Sequence, residues 1–437
     1  MMTNKLLDQR RGSKSPRLGI RLAALALLAS LQAWPQTAPV TEVIVAVPSA
    51  HELARTHYHP ANSPRTPAPE PGQENTPLLS PLERPDGQRV SSAQEWYRNR
   101  RPAISAQWLA ILGKLAPVGE DRKWFGDVTK VRVVSTEEKE HYTRIDLEIP
   151  LEVDFYQKHL LLLPRGQGDG PFPAVIAWTS STPDYQKPEE WWGADLASRG
   201  YVVLTSWSFI RNYRNQAGEN RVNEKVYARF GHWLSMAKMV HDVEREVEYL
   251  RSRREVIPGR IGFMGFSLSA KTAVYVGAFS PSIIATVAID PHIALNGGTN
   301  YYDTWYLDWH HRFDDIHTED YPIPELRGTV QSLLNPDVGR PGFERNHHEL
   351  LALAAPRPFL LIGGSKSEAE GGHSDDLASW GYFNRAKEVY RLLGIGERLQ
   401  FASTGDGHHA TGPAIDPAWK SFLERWLKET PVEGERP

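Results

Sequence analysis

The chain has 437 residues, 40% hydrophobic and 24% charged, the balance of an ordinary globular protein with a sizeable core. It contains no cysteine, which excludes disulfides, thiolate metal sites and cysteine nucleophiles. A net charge of −3 gives no footprint of a nucleic-acid binder.

The first segment reads as an export signal. Lys5, Arg10, Arg11, Lys14, Arg17 and Arg21 precede the apolar run Leu22–Leu31, which is too short to span a bilayer. Small residues follow, so residues 1–38 are expected to be removed and the mature protein to be periplasmic or secreted, with no membrane contact afterwards. Residues 39–90 are rich in Pro, Ser, Thr and charge. Such a composition buries too little apolar surface to offset chain entropy, and predicts a linker or a surface arm.

From residue 91 to 430 the pattern is that of one domain. Residues 92–116 carry Trp96, Ile104, Trp108 and Leu112 at helical spacing, with an interruption expected at Pro102. Strands are expected over 131–136, 141–149 and 159–163. The buried run Pro173–Trp178 is the next strand, followed by a helix over 189–198 and a strand over 201–205. Met236, Val240, Val243, Val247 and Leu250 predict a helix over 233–251, and Pro258-Gly259 a turn. Strand 260–264, helix 268–278 and strand 284–289 come next. After an insertion of about 296–346, read as a cap or lid, the pattern resumes with strand 358–362, helix 380–393, strand 398–402 and helix 417–427. Strands alternating with helices predict an α/β fold with a mainly parallel central sheet covered on both faces. Ligands on such sheets bind at the carboxyl ends of the strands.

Gly265-Phe266-Ser267-Leu268-Ser269 lies between a strand and a helix. A nucleophilic hydroxyl needs a sharp turn that lifts it clear of the sheet, and small residues two positions either side let strand and helix approach. Ser267 is therefore the expected nucleophile. The backbone N–H of Leu268, at the helix N-terminus, is one expected oxyanion donor. The other is expected from the loop after Trp178, at Thr179 or Ser180.

In this arrangement a histidine comes late in the chain. Thr404-Gly-Asp-Gly-His408-His409 follows the last strand, and its glycines allow a tight loop. His408 is the expected general base, with His409 the alternative. The acid that orients the imidazole is expected after strand 358–362, where Glu368, Glu370, Asp375 and Asp376 are all available. Glu368 sits at a suitable distance past the strand and Asp376 at a suitable distance before the next helix. One of these two is expected to serve, Asp376 ahead of Glu368 because Asp is the shorter and commoner choice, with Asp290, at the end of the preceding strand, ranked third.

At these residues the chain resembles acetylxylan-esterase-like and dienelactone-hydrolase-like enzymes of the α/β-hydrolase superfamily. The resemblance spans roughly residues 92–430. It is carried by Arg260-Ile-Gly-Phe-Met-Gly-Phe-Ser-Leu-Ser-Ala-Lys-Thr-Ala, by His348-Glu-Leu-Leu-Ala-Leu-Ala-Ala-Pro-Arg-Pro and by Val389-Tyr-Arg-Leu-Leu-Gly. It implies hydrolysis of acyl esters on carbohydrates or small molecules, with no metal or cofactor. The spacing from Ser267 to Lys271 is also similar to glucuronoyl esterases, whose lysine there contacts the sugar. Leu268 stands where those enzymes carry arginine.

Trp191, Trp192, Trp305 and Trp309 lie near loops where aromatic faces could stack on sugar, or simply pack. The pairs His310-His311 and His347-His348 do not make a metal site, because adjacent helical residues face apart and no His-Glu-x-x-His occurs. His347-His348-Glu349 is expected to begin a helix packed under the site. The leading expectation is an exported serine carboxylic-ester hydrolase. A serine peptidase of the same fold and a non-catalytic binding protein are the alternatives.

Overall fold

A computed structural model describes residues 78–117, 119–180, 184–207, 235–291, 347–363, 378–403 and 415–429, with Phe230, Trp233, Ile293, Gly412 and Pro413 between them. The expected signal, most of the 39–90 arm and the insertion at about 296–346 lie outside the described residues. The last part of the arm, from residue 78, packs on the domain. Ser80 Oγ and Arg89 donate to Glu388 at 2.6 and 2.5 Å, and His348 Nε2 donates to the carbonyl of Leu79 at 2.8 Å.

A helical turn Ala93–Glu95 runs through a π turn, Trp96–Arg100, into α1, Arg101–Leu112. The interruption expected at Pro102 is absent. The wider turn sends the Arg101 N–H to the carbonyl of Trp96, and Pro102 enters in the first turn of α1, so the missing proline N–H breaks nothing.

Nine strands form one sheet in the order β1-β2-β3-β5-β4-β6-β7-β8-β9. β1 (Arg132–Glu138), β2 (Tyr142–Glu152) and β3 (Phe155–Pro164) are antiparallel, and β3 also meets β5 antiparallel. β4 (Phe172–Trp178), β5 (Val202–Ser206), β6 (Val256–Phe266), β7 (Ala285–Ile289), β8 (Phe359–Gly363) and β9 (Leu399–Ser403) are parallel. The parallel strands are apolar on both faces because both faces are covered. Pro258-Gly259 is not a turn between elements. β6 starts before it, and the pairing with β4 jumps from Phe172↔Val256 to Ala174↔Ile261, so the pair sits in a bulge where proline's lack of a donor is harmless.

α2 (Ala194–Ser198), entered through the π turn Glu189–Gly193, lies on one face of the sheet with α7 (Asp416–Leu423). Trp192, Leu196, Trp419, Phe422 and Leu423 there pack on Val175, Val203, Val287 and Leu360. α1, α3 (Ser235–Arg251), α4 (Leu268–Phe279), α5 (His347–Ala354) and α6 (Ala378–Leu392) cover the opposite face around Ile176, Leu204 and Phe263. This is the expected three-layer α/β arrangement. No described helix is long and apolar enough to cross a membrane.

Candidate active site

The carboxyl ends of the parallel strands lie in register. Trp178 pairs with Gly265, Phe266 with Ile289, Ile289 with Ile362, and Gly363 with Ser403. Every expected catalytic group therefore belongs to a segment that leaves the same edge of the sheet.

Ser267 is the single residue between β6 and α4. Its backbone is left-handed, at φ 56 and ψ −114. That conformation costs a non-glycine residue on the order of 1–3 kcal/mol and persists only where its surroundings hold it. Here the Ser267 N–H donates to Ile289 O, and the Lys271 N–H to Ser267 O, both at 3.0 Å. The small flanking residues have a visible reason. A Cβ on Gly265 would fall against the carbonyl of Ser269 and within 2.9 Å of its Cβ. Glycine at 265 and a small side chain at 269 are thus two halves of one close approach. Leu268 opens α4, so its N–H lies in the first turn, where helical donors have no partner within the helix.

Thr179 follows β4 directly. Its N–H donates to the Ser206 carbonyl at 3.0 Å, so the Thr179 amide is committed to the end of β5. Of the two positions weighed for the second oxyanion donor, Ser180 is the one further out in the loop. Both residues are buried.

Asp290, the residue after β7, is 1% exposed and also left-handed, at φ 52. Two buried bonds fix the turn it begins. Lys271 Nζ donates to Pro291 O at 3.0 Å, and His347 Nδ1 donates to Ile293 O at 2.8 Å. Lys271 is 3% exposed, and this bond ties α4 to the Asp290 turn. His408, His409, Glu368, Glu370, Asp375 and Asp376 lie outside the described residues.

Trp191 packs edge-on against Phe266, the residue before Ser267, at 5.6 Å between ring centres, and Trp192 is buried. Trp305, Trp309, His310 and His311 lie outside the described residues. His347 and His348 turn to different partners, Ile293 O with the Tyr275 hydroxyl, and Leu79 O. Glu349 accepts from Trp108 Nε1 at 3.1 Å, so α5 is tied to α1.

Sequence reading overlooked one feature. α3 buries Lys238, Asp242 and Glu246, each 0% exposed, at four-residue intervals on its inner face. Lys238 donates to Asp242 at 2.5 Å and pairs with Glu152 at 3.2 Å. Glu246 accepts from Trp178 Nε1 and contacts His159 Nε2, both at 2.8 Å. Burial pushes the Asp242 carboxyl up to about 7 against the pull of Lys238, and raises Glu246 as well. Burial, with Lys238 and Arg245 nearby, holds His241 well below its ordinary value. The charges at i, i+4 and i+8 were legible, but the apolar stripe through Val240, Val243 and Val247 masked them.

Residues 186–297 match the dienelactone hydrolase family. The chain is similar to a 4-O-methyl-glucuronoyl methylesterase of Podospora anserina, 21% identical over 417 residues, covering 90% of this chain and 77% of that one. It is similar to a carbohydrate esterase from an unknown prokaryotic organism, 21% identical over 376 residues, covering 73% and 79%. Among solved structures it resembles a carbohydrate esterase family 15 glucuronoyl esterase from Caldicellulosiruptor kristjansonii, with a TM-score of 0.54 at 17% identity over 82% of this chain and 92% of that one. A promiscuous esterase of the same family from a marine bacterial metagenome gives a TM-score of 0.59 at 16% identity, over 82% and 98%.

Proposed function

We infer that this chain, which has the α/β-hydrolase fold, is a serine carboxylic-ester hydrolase acting on carbohydrate esters, with Ser267 as nucleophile and His408 as general base. The observation that carries the reading is the strained, doubly anchored backbone of Ser267 between β6 and the N-terminus of α4. A serine held this way presents its hydroxyl above the sheet and beside helical N–H groups.

Ser267 Oγ attacks the ester carbonyl while His408 takes its proton. The carbonyl oxygen becomes an oxyanion that receives the Leu268 N–H and a second backbone donor from the loop after β4. The intermediate collapses, the alcohol leaves with the proton from His408, and an acyl-serine remains. Water, deprotonated by His408, attacks that ester and frees the acid and Ser267. No metal or cofactor is needed for these steps.

The acid beside His408 is Asp290, Asp376 or Glu368. Asp290 is favoured by its place: one strand over from Ser267, buried, and in a turn pinned by Lys271 and His347. Asp376 and Glu368 belong to the segment leaving β8, at the next strand end.

Esters of sugar acids are the substrates to try first. The reading is supported by relatives whose names describe glucuronoyl esterases. Release of methanol from a methyl glucuronate ester, beside release of acetate from acetylated xylan, decides between them. Faster turnover of the uronate ester supports this assignment, and turnover of acetylated xylan alone rejects it. Export rests on the basic and then apolar stretch before residue 38.

A further inference from the structure

Glu246 sits in the middle of α3, yet every group bonded to it leads to the rim of the active site. Its Oε2 accepts from the indole N–H of Trp178, the last residue of β4, at 2.8 Å. Its Oε1 lies 2.8 Å from His159 Nε2. His159 Nδ1 in turn lies 2.8 Å from the main-chain carbonyl of Gln157. A carbonyl can only accept, so Nδ1 carries a hydrogen, and the imidazole and the carboxylate share one further proton between them.

Gln157 continues the chain. Its side-chain amide donates to Trp207 O at 3.0 Å and to the hydroxyl of Ser206. The Ser206 carbonyl accepts the Thr179 N–H at 3.0 Å. One carboxylate therefore fixes the last residue of β4 directly. Through His159 and Gln157 it also fixes the last residue of β5 and the first beyond it. Glu246 and His159 are 0% exposed, and Gln157 is 1% exposed.

A buried ion pair is a poor device for stability alone, since well-packed apolar residues of similar volume often do as well. What it does give is fixed geometry, and all of that geometry converges on the strand ends flanking Thr179 and Ser180. We propose that Glu246, acting with His159, is a positioning residue for the oxyanion site: it holds the loop after β4 at the height from which a backbone N–H meets the developing negative charge. This rests on the esterase reading above.

The test compares full-length wild type with Glu246→Leu, Glu246→Gln and Trp178→Phe, using 4-nitrophenyl acetate turnover and the rate at which a fluorophosphonate labels Ser267. Both reactions build negative charge on an oxygen in the same site. Glu246→Leu is expected to lower kcat by about tenfold to a hundredfold with KM nearly unchanged, and to slow labelling in parallel. Glu246→Gln is expected to recover most of that loss. Its amide oxygen can accept from Trp178 while its NH2 donates to Nε2 of a neutral His159. Trp178→Phe removes a single donor and keeps an aromatic ring, so it serves if the leucine variant does not fold, and it is expected to lose kcat in the same direction. Folded Glu246→Leu or Trp178→Phe enzyme with wild-type kcat and labelling rate would overturn the positioning role and leave the esterase reading intact. A wild type that neither hydrolyses the ester nor takes the label would sink the esterase reading, and this role with it.

Discussion

Ser267 and Asp290 stand side by side at the carboxyl ends of β6 and β7, each one residue beyond the paired positions Phe266 and Ile289. Among the described residues they are the two non-glycine positions with left-handed backbone, at φ 56 and 52. Strain of this kind collects at functional sites, where the surrounding structure over-determines it. Each is pinned by a neighbouring strand: the Ser267 N–H by Ile289 O at 3.0 Å, the Asp290 N–H by Ile362 O at 2.7 Å.

That adjacency separates the three candidate acids. Asp290→Asn keeps the side chain's shape and removes the charge that stabilises an imidazolium. It is expected to lower kcat by about a thousandfold or more, as loss of a triad carboxylate does elsewhere. Asp376→Asn and Glu368→Gln are expected to change kcat by far less. Steady-state rates on one aryl ester for the three variants rank them. A large loss in Asp376→Asn or Glu368→Gln, with Asp290→Asn near wild type, moves the acid to the segment after β8.

The close approach of Gly265 to Ser269 predicts an asymmetry between the two small residues. Gly265→Ala puts a methyl group against a backbone carbonyl, so strand and helix must part, at a cost of about 1–3 kcal/mol. Ser269→Gly relieves that approach instead of tightening it. The unfolding temperature and the esterase rate should both fall further in the first variant than in the second.

The buried Asp242 should leave a signature in the pH dependence of stability. Its ordinary value is 3.8, and burial, with the charges of Glu152 and Glu246 nearby, raises it to about 7 against the pull of Lys238. Between those values the folded state keeps a proton that the unfolded chain releases, so this group's contribution to stability is lost as pH rises through the window. His241, held low, has the opposite sign below its ordinary 6.5. Asp242→Asn retains an acceptor for Lys238 and removes only the first effect. Urea unfolding at about pH 5 and about pH 8 should show wild type losing stability relative to Asp242→Asn as pH rises. Parallel pH dependences in the two proteins would contradict it.

The parallel half of the sheet was legible because its strands are short, apolar and separated by helices of clear period. The tight turn at Ser267 was legible because the close approach of strand and helix forces small residues at 265 and 269. Two features escaped. Pro258-Gly259 signals a turn in isolation, but pairing on both sides absorbed it as a bulge in β6. The polar ladder on α3 drew no attention beside the apolar stripe, and only the tertiary structure shows Glu152, His159 and Trp178 arriving to satisfy it. The donor at Thr179 was placed by position along the chain. Its bond to Ser206 depends on the register between β4 and β5, which no local pattern encodes.

The most direct measurement is hydrolysis of 4-nitrophenyl acetate and of a methyl glucuronate ester by the mature protein beside Ser267→Ala. Turnover in the wild type that is abolished in a folded Ser267→Ala protein, on both esters, is the expected result. Turnover that survives in Ser267→Ala would contradict the assignment of the nucleophile, and with it the central claim.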